Sequence, residues 1–108
     1  MSINYPMSES ETITKPDVKS DDQTKEPKMY VVLLHNDAYT PRNFVVEVLQ
    51  RCFQKGHEEA ERIMLKAHKS GLSAVATYSY EIAETKTAMA NNYSHDQGQL
   101  LLFSLQEA

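Results

Sequence analysis

The apolar run from Val31 to Leu34 gives way at once to His35-Asn36-Asp37, and Thr40-Pro41 follows within a few residues. Apolar residues that end in Asn-Asp mark a chain leaving a strand. Thr-Pro reads as a helix N-cap followed by proline at the first helical position. A strand, a short polar loop and a helix start are thus compressed into residues 33–41. Polar side chains at the mouth of such a junction can face a ligand while the elements behind them stay rigid. The rest of the chain is expected to build a pocket around this loop.

Met29 to His35 is β-rich and nearly continuous in apolar residues, as a central strand covered on at least one face should be. The first helix starts near Thr40 or Pro41. It carries Phe44, Val45, Val48, Leu49, Cys52 and Phe53 on one buried stripe, and Gly56 is expected to stop it as a left-handed cap. The second helix runs from about His57 to Ser70, with Glu58, Glu59 and Glu61 where its dipole favours negative charge. Its stripe reads Ala60, Ile63, Met64, Ala67 and His68, and Gly71 caps it. Taken alone, His68 reads as a partly buried ring bonded to a backbone carbonyl.

Leu72 to Tyr80 is the second strand. A third helix, about Glu81 to Tyr93, places Ile82, Met89 and Tyr93 on one face, and Glu81, Glu84 and Lys86 outside. Ser94 to Gln99 is a loop, and Leu100 to Leu105 closes the chain as a third strand. The order βααβαβ predicts an α+β sandwich, with a three-stranded antiparallel sheet and three helices on one face.

Residues 1–28 hold four Lys and six Asp or Glu, and their few apolar residues follow no period. Such a segment buries too little to offset its ordering entropy, so it is expected to be a disordered extension ahead of a core domain at 29–108. It resembles neither a secretory signal nor a transit peptide. One cysteine, Cys52, excludes an intramolecular disulfide and suits a reducing cytoplasm. No apolar run approaches the ~20 residues of a membrane span. A net charge of −4 without a basic face argues against nucleic acid or an acidic membrane surface as partner.

Enzyme motifs are missing: there is no Gly-rich phosphate loop, no G-x-S-x-G elbow and no His/Cys pair at metal spacing. Neither a catalytic residue, a metal ligand nor a cofactor is assigned. Asp37 and His68 resemble an acid–base pair, but nothing else supplies a nucleophile or an oxyanion site. Binding fits better. Asn36, Asp37 and Thr40 stand at the mouth of the first strand, and His68 can point at the same place. Asn offers a carbonyl oxygen, Asp a carboxylate and neutral His a lone pair, a set of acceptors suited to an ammonium group. Val45, Met64 and Ala67 behind them are apolar. A cationic head beside an apolar side chain describes the free N-terminus of a chain whose first residue is hydrophobic.

Asn36-Asp37-x-Tyr39-Thr40-Pro41 with Phe44-Val45, then Met64-Leu65-x-x-His68, then Glu81-x-Ala83-Glu84-Thr85-Lys86, resembles the ClpS family across residues 29–108. The resemblance implies a monomeric cytoplasmic adaptor, not an enzyme. Such adaptors deliver N-degron proteins, whose first residue is Leu, Phe, Tyr or Trp, to the N-terminal domain of the ClpA AAA+ unfoldase. It implies α-amine contacts at Asn36 and His68, to which the acceptor argument adds Asp37. It also implies a side-chain pocket of Leu34, Thr40, Val45, Met64, Ala67 and Leu101, and unfoldase contacts at Glu81 and Lys86. His68 has to be neutral to accept from an ammonium, so binding should weaken on acidification.

Three positions depart from the family pattern. Ala38 stands where a second Asp is common, which removes an acceptor for the amine. Arg42 stands at the methionine gate of the pocket, and Ala67 replaces a valine in its wall. Together they suggest weaker or shifted preference, toward larger aromatic residues. The competing reading is a module of this fold that binds the Clp unfoldase or another partner without reading N-termini.

Overall fold

The computed structural model describes residues 27–108. The expected extension at 1–28 therefore lies almost wholly outside the described residues. The elements follow in the predicted order: β1 (Met29–His35), α1 (Arg42–Phe53), α2 (His57–Ser70), β2 (Leu72–Ser79), α3 (Tyr80–Asp96) and β3 (Leu102–Glu107). The strands form one antiparallel sheet in the order β2-β1-β3. β1 is the central strand, and its alternate residues Val32 and Leu34 are fully buried among helix side chains. The pairing with β2 slips between Val32 and Leu33, which face Ala76 and Ala74, leaving Val75 as the extra residue of a bulge.

The helices meet the sheet through Val48, Leu49, Cys52 and Phe53 of α1, Ala60 and Ile63 of α2, and Ala83 and Ala90 of α3. Phe53 and Phe103 lie with ring centroids 5.2 Å apart, and Phe44 stacks on Tyr93 at 5.7 Å. Each large apolar side chain buried this way contributes roughly 1.5–3 kcal/mol before entropy is counted. No described helix is long and apolar enough to cross a membrane.

Several local expectations are corrected. Helix α1 begins at Arg42, with Pro41 rather than Thr40 at its N-cap in an extended conformation (ψ 142°). The Thr40 hydroxyl is unavailable for capping because it donates to Asp37 Oδ2 at 2.6 Å. At the other end the left-handed residue is Gln54 (φ 53°), and Gly56 instead starts α2, its carbonyl accepting from Ala60 N–H at 2.9 Å. A non-glycine residue in that region is uncommon. Here Lys86 donates its Nζ to Gln54 Oε1 and, at 3.5 Å, to the Cys52 carbonyl, bringing a cation to the helix C-terminus.

Helix α3 faces the core with Ala83, Thr87, Ala90 and Ser94, while Ile82 and Met89 are about half exposed. It also runs past the expected loop to Asp96. Asn91, of a type that weakens a helix end, acts here as a bracket. Its Nδ2 donates to the Phe103 carbonyl at 3.0 Å and its Oδ1 accepts from Phe103 N–H at 2.8 Å. This pins α3 to β3, which starts two residues later than expected, at Leu102.

Candidate functional site

The junction after β1 is held from two sides. Within the loop, Thr40 N–H donates to the Asp37 carbonyl at 3.3 Å, closing a turn that the Thr40–Asp37 side-chain bond reinforces. Across the fold, Asn36 N–H donates to the Gly71 carbonyl at 3.0 Å. Gly71 adopts φ 89° and returns its own N–H to Ala67 at 2.7 Å, the left-handed closure that ends α2. Because His68 sits in the last turn of α2, this closure brings its ring to the strand mouth.

Between the two lies a cavity of about 160 Å³. Its apolar wall is Leu34 from β1, Val45 from α1, Met64 and Ala67 from α2, and Leu101 ahead of β3, all buried. Its polar side is Asn36, Asp37, Thr40, Arg42 and His68. Every residue expected at the amine site or the side-chain pocket therefore lines one cavity. An apolar cavity of roughly 150 Å³ holds a benzene ring, so the space suits one aromatic or branched aliphatic side chain.

Two further residues line it that were not assigned to the site, His35 and Ala38. His35 is the last residue of β1, and its Nε2 shares a 2.6 Å hydrogen bond with Ser104 Oγ on β3. Its neighbour Leu34 points into the core, and strand alternation by itself gives no signal that His35 lines the same cavity. Ala38 is part of the loop itself.

His68 does not sit on the buried stripe. It is exposed, and its Nε2 accepts from Arg42 Nη2 at 2.7 Å. A guanidinium only donates, so the imidazole is neutral in this arrangement, with its proton on Nδ1. Asp37 is held by Thr40. The arrangement offers acceptors at the rim and an apolar hole beneath them. It offers no nucleophile: Cys52 lies outside the cavity, buried, and burial pushes its thiol up from the ordinary range. Among the described residues no group of three or more His, Cys, Asp or Glu could hold a metal ion.

Glu81 and Lys86 lie apart from the cavity on α3. Glu81 is exposed in its first turn. Lys86 is half-buried, reaching the end of α1 and resting 5.5 Å from the Tyr78 ring centroid.

The family profile described as ATP-dependent Clp protease adaptor protein ClpS matches residues 25–105. An adapter protein ClpS from Shewanella pealeana is 41% identical over 102 residues, covering 94% of this chain and 100% of the relative. ClpS 2 from Mesorhizobium japonicum is 44% identical over 94 residues, covering 87% of this chain and 93% of the relative. Among solved structures, Agrobacterium tumefaciens ClpS2 bound to L-phenylalaninamide superposes with a TM-score of 0.75 at 37% identity, covering 77% of this chain and 100% of that one. With three motifs in order, the predicted fold and a profile match across the described domain, the chain belongs to the ClpS family of ATP-dependent Clp protease adaptors.

Proposed function

We propose that the cavity receives the first side chain of a protein beginning with Leu, Phe, Tyr or Trp, while Asn36, Asp37 and His68 accept from its α-ammonium group. The observation that carries this reading is the placement of those acceptors on the rim of an apolar hole sized for one such side chain. The similar ClpS2 was solved with L-phenylalaninamide, a free α-amine beside an aromatic side chain. As a member of an adaptor family, the chain is not an enzyme.

Acetylating a ligand's N-terminus removes its charge and two of its donors, so acceptors that the bound chain covers are left unpaired, at a cost of roughly 1–3 kcal/mol. Shape supplies the rest of the selectivity, and the narrow slot disfavours β-branched Ile and Val. In this reading the core at 29–108 binds the substrate as a cytoplasmic monomer. Glu81 and Lys86 contact the N-terminal domain of a ClpA-type AAA+ unfoldase, and the 1–28 extension assists transfer. Arg42 already occupies His68 Nε2, which favours, as a second reading, a module that binds the unfoldase without reading N-termini. Peptides starting Leu, Phe, Tyr, Trp, Ile and Met, each free and acetylated, separate the two. Preference for the first four in free form supports N-degron binding; equal, weak binding of all six sinks it.

A further inference from the structure

Among the described residues, Arg42 is the one whose guanidinium meets His68, in an exposed contact at the cavity mouth. Its Nη2 lies 2.7 Å from His68 Nε2, the lone pair that an incoming ammonium would take. Among the described residues no carboxylate stands within 4.0 Å of it. The nearby acids are engaged elsewhere: Asp37 by Thr40, Glu47 by Arg51 and Tyr93, and Glu61 by His57. Arg42 is therefore a full charge whose partner is a neutral ring.

Its position matters as much as its charge. Arg42 and Met64 line the small cavity and also a much larger, open groove between α1 and α2, whose walls include Val46, Gln50 and Leu65. A chain whose first side chain fills the cavity has to leave past this threshold. Consecutive Cα atoms are about 3.8 Å apart. An ammonium bonded at His68 thus puts the second residue's side chain within reach of the displaced guanidinium.

We propose that Arg42 is a specificity-determining residue that reads the second residue of the bound chain, favouring a carboxylate there and rejecting lysine or arginine. The proposal rests on the N-terminal reading of the cavity. A carboxylate in that place gives the guanidinium the partner it loses when the ammonium takes His68, and can be held through two parallel N–H donors. A second-residue lysine meets repulsion at the same separation. Two charges about 4–5 Å apart near water, partly screened by salt, imply roughly fivefold tighter binding of the acidic than of the basic ligand.

The test uses the full chain and three otherwise identical peptides with free N-termini, beginning Phe-Asp, Phe-Ser and Phe-Lys, titrated by fluorescence anisotropy at low and high salt. The expected order is Asp tighter than Ser, and Ser tighter than Lys, with the spread shrinking as salt rises. Arg42→Gln should bring the Asp-to-Lys ratio close to one and tighten the Phe-Ser peptide, because His68 is no longer occupied. Arg42→Lys should keep part of the acidic preference. An unchanged ratio in Arg42→Gln, or equal binding of all three by the native chain, overturns the proposal and leaves the N-terminal reading standing. Failure of every free peptide to bind overturns both.

Discussion

Asn36 donates its backbone N–H to the carbonyl of Gly71, joining the end of the central strand to the residue that terminates α2. The bond aligns two rims of one cavity, Asn36 on one side and His68 on the other. Its geometry depends on Gly71 holding φ 89°.

Gly71→Ala is the direct test. Space for the added methyl is available, with nothing within 4 Å, so the penalty is conformational rather than steric contact. A side chain in the left-handed region costs about 1–2 kcal/mol. Thermal melts should show that loss, and affinity for a Phe-initiated peptide should fall with it as the rims lose register. A melt as stable as the native chain's contradicts the account.

His68→Ala removes an acceptor from an exposed position. Peptide affinity should drop roughly tenfold or more, while stability stays within about 0.5 kcal/mol. The sign of the pH effect follows from the same atom. A protonated imidazole has no lone pair to offer, so native binding weakens as pH falls, and the variant should lose that sensitivity. Isothermal titration at several pH values reads both effects.

Ala67 is buried in the cavity wall, 2% exposed, where two added methyl groups have to project into the space. Ala67→Val should therefore weaken Trp- and Phe-initiated peptides more than Leu-initiated ones, with overpacking costing roughly 1–3 kcal/mol for the largest. A uniform change across the peptides would place Ala67 outside the slot.

Lys86 and Glu81 separate folding from docking. Lys86→Ala removes the donor at the end of α1 and a cation over Tyr78, so the melt should fall by roughly 0.5–1.5 kcal/mol. Glu81→Ala, at an exposed position, should leave it nearly unchanged. Loss of unfoldase binding by both variants, measured on samples shown to be folded, supports the proposed contact surface. Loss by Lys86→Ala alone assigns it to the helix end.

Burial raises the Cys52 thiol, overcoming the opposing pull of Arg51 and Lys86. A group raised in the fold stabilises it fully below the ordinary thiol range, and that contribution is lost as pH rises through the raised value. At neutral pH the thiol stays protonated and out of reach. Iodoacetamide should label the native chain slowly and the denatured chain quickly; equal rates would contradict this.

Much of the fold was legible because the periodicity was strong. β1 and α2 begin and end where their patterns do, at Met29 and His35 and at His57 and Ser70. All ten residues expected at the amine site and the pocket line the cavity, since a strand end and two helix stripes leave few places for them to converge. Helix α3 was harder. Its larger apolar side chains Ile82 and Met89 suggest one face, yet its core face is Ala83, Thr87, Ala90 and Ser94, whose small size lets the helix lie close to the sheet. The role of Asn91 is not legible in the sequence, because a propensity cannot show a hydrogen-bonding partner twelve residues away. The Arg42–His68 contact was invisible for a similar reason: long side chains choose partners across elements, and sequence spacing says nothing of that choice.

The place of β1 in the sheet has a mechanical meaning. Tension applied at the Met29 end and directed along the strand loads β1 first. Antiparallel ladders grip it on both edges, to β2 along its whole length and to β3 from Tyr30 to His35. Under force along that axis the two ladders are loaded in shear, and Leu34 is held by its pairing to Ser73 on one side and Phe103 on the other. A pull directed along β1 from its Met29 end thus has to break both ladders before Leu34 leaves the cavity wall.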